Sequence, residues 1–348
     1  MKHWGETRDV LDRLAALRQA GRRAALCTVI RVRGSVYRRE GAKLLVAEDG
    51  STAGNVSGGC LEQDVREAAL QVIRSGRAEV RSYCSNSDEI AAWDLGLGCD
   101  GAVDVLIAPA PEPVPRERAL LDDRIPFAVA TLLPAGPRLL VTAESTVGPL
   151  DAEAVVRARD LLLTGRSAVE DVNGRSMFIE SLIPPPQLVV FGAGDDARPL
   201  AQLAADAGFR VVVTDQRPAY LTSERFPAAA ELVESDLALD DTEYTVVMTH
   251  NFVHDQECVR LLLASPVPYI GMLGPRQRTE RILCNLAREG AFDESQRDRI
   301  YGPVGLDIGT DGAEQVAMSI IAELLAVRSG RRVRSVRERP VPIHAGDD

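Results

Sequence analysis

The feature that most constrains the fold is an apolar run that leads into a glycine-rich turn at residues 188–197. Residues 188–191 read Leu-Val-Val-Phe, as in a buried strand, and residues 192–197 read Gly-Ala-Gly-Asp-Asp-Ala. In such a G-x-G-x-x-A turn the first glycine permits the bend, and the second lets the backbone approach a phosphate. A helix is expected over residues 195–207. The spacing therefore predicts a Rossmann-type strand–turn–helix in which Gly192 and Gly194 receive the phosphate of a nucleotide-like ligand.

The next predicted strand, residues 210–214, ends beside an acidic side chain. Asp215 lies about twenty residues beyond the turn, where a carboxylate can accept hydrogen bonds from ribose hydroxyls. Arg217 follows and could balance a phosphorylated ribose, so NAD, NADP and another nucleotide all remain open. Asp195 and Asp196 place two negative charges beside the expected phosphate, which is unfavourable unless a cation or proton intervenes.

The chain is predicted to fold as two α/β domains. A length of 348 residues exceeds what one core comfortably covers, and the triple proline at residues 184–186 can continue neither a sheet nor a helix. We expect an N-terminal mixed α/β domain over residues 1–183 with a proline-rich loop at 109–115. A Rossmann-like, doubly wound parallel sheet follows over residues 184–330, because strands and helices alternate there. Residues 331–348 are expected to form a basic, disordered tail.

Strands are expected in the N-terminal domain where short apolar runs end at turn residues. They are predicted at residues 24–33, 43–48, 78–83, 102–107, 127–131, 138–142 and 177–182.

Composition excludes several classes of function. The net charge of -11 and an aromatic content of 4% disfavour a nucleic-acid partner, which needs a basic footprint or stacking side chains. The sequence contains no run of eighteen apolar residues, so no membrane span is expected. The N-terminus has no signal-peptide pattern and the six cysteines lack CxxC spacing, so we expect a cytoplasmic protein with reduced thiols.

A second candidate site lies at the entrance to a predicted helix. Residues 57–62 read Ser-Gly-Gly-Cys-Leu-Glu, which places the Cys60 thiol near a helix N-terminus that stabilises a thiolate. Gly58 and Gly59 leave room for a bulky ligand, so Cys60 is a candidate nucleophile or metal ligand; a purely structural cysteine is the alternative. No histidine is close in sequence, which argues against a Cys–His protease. Cys99, in its own glycine-rich loop, is a second candidate thiol.

Two histidines follow a predicted strand end in the second half. His250 and His254 lie where ligands of open α/β sheets bind, and Asp255 is beside them. They are candidates for proton transfer or metal binding, with His250 the stronger catalytic candidate. Ordinary capping or surface roles remain the alternative.

Several ordered blocks resemble the XdhC/CoxI family, accessory proteins that serve molybdenum hydroxylases. The resemblance spans almost the full length. It is carried by residues 34–43, 57–62, 95–99, 192–194, 215–227, 248–255, 269–276 and 303–309.

The resemblance implies a cofactor and partners. A family member would bind molybdenum cofactor, as molybdopterin or its dinucleotide form, support its sulfuration and insert it into an apo xanthine dehydrogenase-like enzyme. It would act as an accessory protein rather than a turnover enzyme, as a homodimer, with a cysteine desulfurase as a further partner. Ser57, Gly58, Gly59 and Cys60 would contact the cofactor, with Cys60 and less directly Cys99 at molybdenum. Lys43 would contact the cofactor's phosphate, as would Arg38 and Arg39.

The chain departs from the family pattern at three positions. Tyr37 replaces a usual proline, Asp195 replaces the histidine that usually follows the glycine turn, and Asp100 replaces a glycine after Cys99. The change at Asp195 leaves the choice of ligand open. The rival hypotheses are an NAD(P)-dependent oxidoreductase with His250 as hydride relay and a sulfur carrier with a persulfide on Cys60.

Overall fold

The computed structural model describes residues 2–34, 36–84, 101–112, 115–149, 152–234, 237 and 239–338. These residues divide into two compact units, which end and begin at Pro184 and Pro185. Unit 1 contains, in chain order, α1 (Lys2–Gln19), β1 (Ala24–Arg33), β2 (Lys43–Ala47), β3 (Thr52–Gly54), α2 (Glu62–Ser75), β4 (Glu79–Cys84), β5 (Ala102–Pro109), α3 (Pro115–Asp122), β6 (Phe127–Leu132), β7 (Arg138–Val141), β8 (Thr146–Val147), α4 (Ala152–Thr164), β9 (Ala168–Val172) and β10 (Arg175–Leu182).

The first sheet of unit 1 is antiparallel, in the order β3-β2-β1-β5-β4. Side chains alternate between its two faces because the strand period is two residues. Ala25, Cys27 and Val29 of β1 pack against α2, together with Leu44 of β2. Leu26 and its neighbours on the alternate positions point to the opposite face.

A second antiparallel sheet in the order β8-β7-β6-β10-β9 completes unit 1. Ala130 and Ile179 pack against α4 on one face. On the other face Phe178 packs with Ile30 and Leu106 of the first sheet. Unit 1 is therefore layered as α2, first sheet, second sheet and α4. The strands predicted near residues 127–142 lie in this separate sheet, which the sequence analysis did not distinguish.

Unit 2 contains β11 (Gln187–Phe191), α5 (Ala197–Asp206), β12 (Arg210–Thr214), β13 (Glu231–Val233), β14 (Glu243–Val247), α6 (Phe252–Ala264), β15 (Tyr269–Met272), α7 (Arg276–Arg288), β16 (Ile300–Tyr301) and α8 (Ala313–Ser329), with short 3-10 helices between them. All strand pairs of its sheet are parallel, in the order β13-β12-β11-β14-β15-β16. This is the doubly wound Rossmann order, so the predicted fold class is confirmed.

Helices cover both faces of this sheet, as a parallel sheet requires. Leu188 and Val190 pack against α5 and α8, whereas Val189 and Phe191 pack against α6 and α7. The helix predicted from Asp195 begins at Ala197, which leaves both acidic residues in the turn.

Within the described part of the chain, no helix is both long and apolar enough to cross a membrane. Residues 331–338 of the predicted tail include a short 3-10 helix, Val336–Glu338. Residues 339–348 and the loop with Cys99 lie outside the described residues.

Candidate functional site

The glycine turn of unit 2 is held tightly against the end of β14. Gly192 has a φ of 118°, and a Cβ there would lie 2.4 Å from the carbonyl oxygen of Met248. A side chain would therefore meet both a disfavoured backbone conformation and a steric clash. Ala193 is fully buried and donates its backbone N–H to Asp215 Oδ2 at 2.7 Å. The turn is thus fixed by both neighbouring strands.

Asp215 lies at the end of β12, as predicted, but its carboxylate is already engaged. Arg217 donates its Nε to Oδ1 and its Nη2 to Oδ2, both at 2.8 Å, and its backbone N–H to Oδ1 at 2.9 Å. Burial raises the pKa of Asp215, but the bonds from Arg217 and Ala193 outweigh burial and lower the pKa to about 2. The Arg217 guanidinium also lies 4.2 Å from the centre of the Tyr220 ring. The sequence placed both residues at the site but did not predict this bidentate pair.

Each acidic residue of the turn has a basic partner. Arg225 Nη2 lies 3.0 Å from Asp195 Oδ1, and His250 Nε2 lies 2.7 Å from Asp196 Oδ2. Arg225 provides a positive charge beside Asp195, and His250 provides a hydrogen-bond partner for Asp196. A Cβ on Gly194 would come within 2.7 Å of Asp196 Oδ1, so this carboxylate lies directly over the turn. A phosphate binding there would meet Asp196 first, with the His250 imidazole beside it.

His250 has a left-handed backbone, with a φ of 58° that non-glycine residues rarely adopt. It follows β14, and the next residue, Asn251, caps α6 by accepting the N–H groups of Val253 and His254. His250 Nε2 lies beside Asp196, so the imidazole has a defined partner at the glycine turn. His254 lies in the first turn of α6.

A cavity of about 330 Å³ opens at the carboxyl ends of β11, β12 and β14. Phe191, Leu237 and Leu261 contribute apolar walls, and Asp215 and Arg217 contribute polar atoms. The crevice lies where the strand order reverses between β12, β11 and β14, the usual ligand position in open α/β sheets. Its size suits one nucleoside-sized group.

The side of the cavity formed by α6 contains His254 and Cys258. Burial, with the nearby carboxylates of Asp255 and Glu257, raises the pKa of Cys258 to about 12. The thiol is therefore neutral at physiological pH and serves as a small apolar wall.

Asp255, also in α6, is buried and holds the loop that borders this side of the cavity. Its buried carboxylate accepts the Thr249 hydroxyl at 2.6 Å and the Arg278 Nε at 2.9 Å. Because both carboxylate oxygens are engaged, Asp255 orients the loop after β14. It is not positioned to act as a base beside His254.

Cys60 lies in the loop immediately before α2, which begins at Glu62. Ser57 Oγ accepts the N–H groups of Gly59 and Leu61, each at 3.1 Å, and Ser57 N–H donates to Glu62 Oε1 at 2.8 Å. Burial raises the pKa of Glu62, but its bonds with Ser57 outweigh that effect and lower it. Cys60 itself is half-buried and packs against the α2 face of the first sheet.

The exposed ring of Tyr37 lies beside this loop, 3.5 Å from where a Cβ of Gly58 would stand. In this chain the tyrosine thus covers part of the open glycine surface that precedes Cys60. Among the described residues no cluster of three histidine, cysteine or acidic side chains could hold a metal ion.

Lys43 is buried and forms an ion pair with Glu180 of β10, and its Nζ also donates to the Gly41 carbonyl at 3.0 Å. This places the ammonium on the face of the first sheet that is turned to the second sheet. Cys60 packs on the opposite face, so the structure does not bring these two predicted contacts together. Arg38 forms an ion pair with Glu6. No sequence motif signalled Glu180, which is the one acidic residue of β10.

Comparison with known proteins agrees with the fold. Residues 188–324 match the model of the XdhC Rossmann domain, and residues 17–84 match that of the XdhC and CoxI family. The chain is 33% identical over 332 residues to a probable xanthine dehydrogenase subunit of Bacillus subtilis, covering 90% of this chain and 96% of that protein. It is 26% identical over 312 residues to PaoD of Escherichia coli, a molybdenum cofactor insertion chaperone, covering 89% and 85% of the two chains.

A solved structure, that of a xanthine dehydrogenase from Bacillus halodurans, matches with a TM-score of 0.76 and 30% identity over 95% of this chain and 98% of that one. Fold and sequence thus define a protein with a Rossmann unit joined to a layered α/β unit. The chain belongs to the XdhC and CoxI family, which confirms the resemblance found in its sequence blocks.

Proposed function

We propose that the chain binds molybdenum cofactor and supports its insertion into a xanthine dehydrogenase-like molybdenum hydroxylase. The observation that carries the proposal is the nucleoside-sized cavity at the carboxyl ends of β11, β12 and β14. One relative is named as a cofactor insertion chaperone and another as part of a xanthine dehydrogenase, and together they supply the biological context. The proposed role is that of a carrier, which needs no catalytic turnover.

The residues of the cavity suit the nucleotide part of the dinucleotide form of the cofactor. Phe191 and Leu261 offer apolar surface to a base, and Arg217 offers a guanidinium beside the sugar position. Gly192 lines the cavity and would allow close backbone approach, and Gly194 and the His250–Asp196 pair lie in the adjoining turn and loop. When bound, the cofactor supplies the molybdenum centre that the client enzyme uses. The chain's own residues bind it, orient it and exclude water from it.

Sulfuration belongs to the same proposal. Cys60 is the candidate thiol, because it is accessible on a glycine loop whose backbone is ordered by Ser57 and Glu62. A cysteine desulfurase would be the sulfur source, and a homodimer the assembled form. A persulfide found by mass spectrometry on Cys60, and absent from Cys60→Ala, after incubation with a desulfurase and cysteine supports this part.

Co-expression with the cofactor biosynthesis proteins tests the main proposal. The purified chain is expected to contain molybdopterin, and acid hydrolysis is expected to release a nucleotide from the wild type. Cys258→Trp fills the cavity and is expected to lose most of the nucleotide-bearing cofactor, whereas Cys284→Trp alters an exposed thiol on α7 and serves as the matched control. Absence of pterin from both the wild type and the control overturns the proposal.

The second candidate is an NAD(P)-dependent oxidoreductase, and Arg217 beside Asp215 is the observation that favours it. In that case the cavity would bind a phosphorylated ribose, and His250 would relay protons. Turnover of NADPH with a carbonyl panel, abolished in His250→Ala, supports this alternative. Tight binding of molybdopterin without any turnover of NADPH or NADH counts against it.

A further inference from the structure

A second cavity, of about 350 Å³, lies in unit 1 between the facing surfaces of the two sheets. Leu26, Leu106 and Phe178 supply much of its apolar wall, and the hydroxyl residues Thr28 and Thr131 line it as well. The cavity is open to solvent on one side, and its volume lies within the range of small-molecule sites.

Three charged side chains, those of Lys43, Arg138 and Glu180, line this cavity, and a fourth, Glu117, pairs with Arg138. Lys43 of β2 pairs with Glu180 of β10, and Arg138 Nη2 of β7 lies 2.7 Å from Glu117 Oε1 of α3. Burial and the nearby Glu180 raise the pKa of Glu117, although Arg138 and Lys43 oppose them. Burying such a cluster is costly unless further hydrogen bonds satisfy its atoms.

The cluster is only partly satisfied by the protein. Lys43 contacts one oxygen of Glu180, Oε1, and within the described part of the chain no residue donates a hydrogen bond to Oε2. Arg138 Nη1 is buried and has no hydrogen-bond partner there either. Lys43, Glu180 and Arg138 all line the cavity. The lining of the cavity therefore includes a carboxylate acceptor and a guanidinium with an unsatisfied donor, together with apolar walls.

We infer that this cavity binds a 2-amino-4-oxopyrimidine ring, the ring that pterins and guanine share. Its amino group and ring N–H would donate to the Glu180 carboxylate, and its 4-oxo group would accept from Arg138. The flat ring would lie between the apolar walls beside Phe178. The class of ring is inferred from the cavity. The further statement that a pterin supplies this ring rests on the proposed function. Lys43 acts as a positioning residue because its ion pair with Glu180 orients that carboxylate.

The chemical test uses two fluorescent ligands that differ at one group. Pterin carries a 2-amino group that donates to Glu180, whereas lumazine keeps the neighbouring ring N–H but carries at position 2 an oxo group, which cannot donate and is repelled by the carboxylate. Titrating the purified full chain is expected to show pterin binding at least tenfold tighter than lumazine. Glu180→Gln is expected to weaken pterin binding about tenfold to a hundredfold and to reduce or reverse the preference, because an amide can donate to the oxo group.

A second variant keeps the test decisive if Glu180→Gln folds poorly. Ala108→Leu adds an apolar side chain at the cavity wall without touching the charged cluster, and it is expected to abolish pterin binding while unfolding at the wild-type temperature or above. Ala16→Leu, the same change on the exposed side of α1, is the control and is expected to bind like the wild type. Equal binding of pterin and lumazine by the wild type, or unchanged binding by Ala108→Leu, overturns the inference.

Guanosine distinguishes the two sources of the ring. Binding of guanosine tighter than pterin identifies a guanine site, and binding of pterin alone identifies a pterin site. Failure of this inference is separable from failure of the proposed function. If molybdopterin co-purifies equally with the wild type and Ala108→Leu, the inference about this cavity is wrong but the proposed function stands. If Ala108→Leu abolishes pterin binding but the chain never acquires the cofactor, the inference about the cavity stands and the proposed function is wrong.

Discussion

The Asp215–Arg217 pair should make a measurable and pH-dependent contribution to the stability of unit 2. We consider Asp215→Asn, which keeps the shape of the side chain but removes its charge. The pKa of Asp215 falls from an ordinary 3.8 to about 2 in the folded chain. That shift corresponds to about 2.4 kcal/mol at neutral pH, and because Arg217 is half exposed we expect solvent screening to reduce it to about 1–2 kcal/mol.

The sign follows from the direction of the pKa change. A carboxyl whose pKa is lowered by folding stabilises the folded state fully above pH 3.8, and this contribution disappears as the pH falls towards about 2. The difference in unfolding free energy between wild type and Asp215→Asn should therefore be constant from pH 7 to pH 5 and shrink below pH 4.

Thermal unfolding followed by circular dichroism measures this difference. A loss of about 1–2 kcal/mol lowers the melting temperature of a unit of this size by roughly 2–8 °C at pH 7. Asp241→Asn changes an exposed aspartate of the same unit and should leave the temperature nearly unchanged. The reasoning is refuted if both variants melt together at pH 7, or if the difference grows below pH 4.

Three further predictions concern buried groups. Lys43→Met leaves the Glu180 carboxylate buried without its partner and should cost about 3–5 kcal/mol in chemical denaturation, much of it recovered when Glu180→Leu is added; equal stability of the single variant and wild type contradicts this. Gly192→Ala should destabilise unit 2 by about 2–4 kcal/mol and abolish nucleotide binding, because the positive φ and the nearby Met248 carbonyl both disfavour a side chain. A melting temperature equal to that of the wild type would be evidence against the turn geometry. The half-buried Cys258, with a pKa of about 12, should react with iodoacetamide at pH 8 far more slowly than the exposed Cys284. Comparable labelling rates in peptide mapping would exclude a raised pKa at Cys258.

The strand–turn–helix of unit 2 could be predicted because its determinants are local in sequence. Gly192 must adopt a positive φ where β11 meets β14, and only glycine does so without strain. The position of Asp215 at the end of β12 follows from the same βαβ spacing. Its capture by Arg217 could not be predicted, because a side chain two residues away can point to a ligand or back to the carboxylate with similar local cost.

The division of unit 1 into two sheets could not be predicted from local sequence patterns. Each strand was recognisable by its apolar alternation, but the pairing of β6 with β10 joins segments more than forty residues apart, and periodicity carries no information on such partners. For the same reason Lys43 was predicted as a ligand contact. Its partner Glu180 lies 137 residues further along the chain and belongs to no motif.

The proposal that this chain carries molybdenum cofactor to a client is tested most directly by transfer. The cofactor-loaded chain would be mixed with an apo molybdenum hydroxylase, and the molybdopterin content of both separated proteins would be measured together with the activity gained. We predict that the activity gained is proportional to the cofactor lost by the carrier, with no more than one client activated per loaded chain. Cofactor that stays on the chain while the client remains inactive would contradict the account.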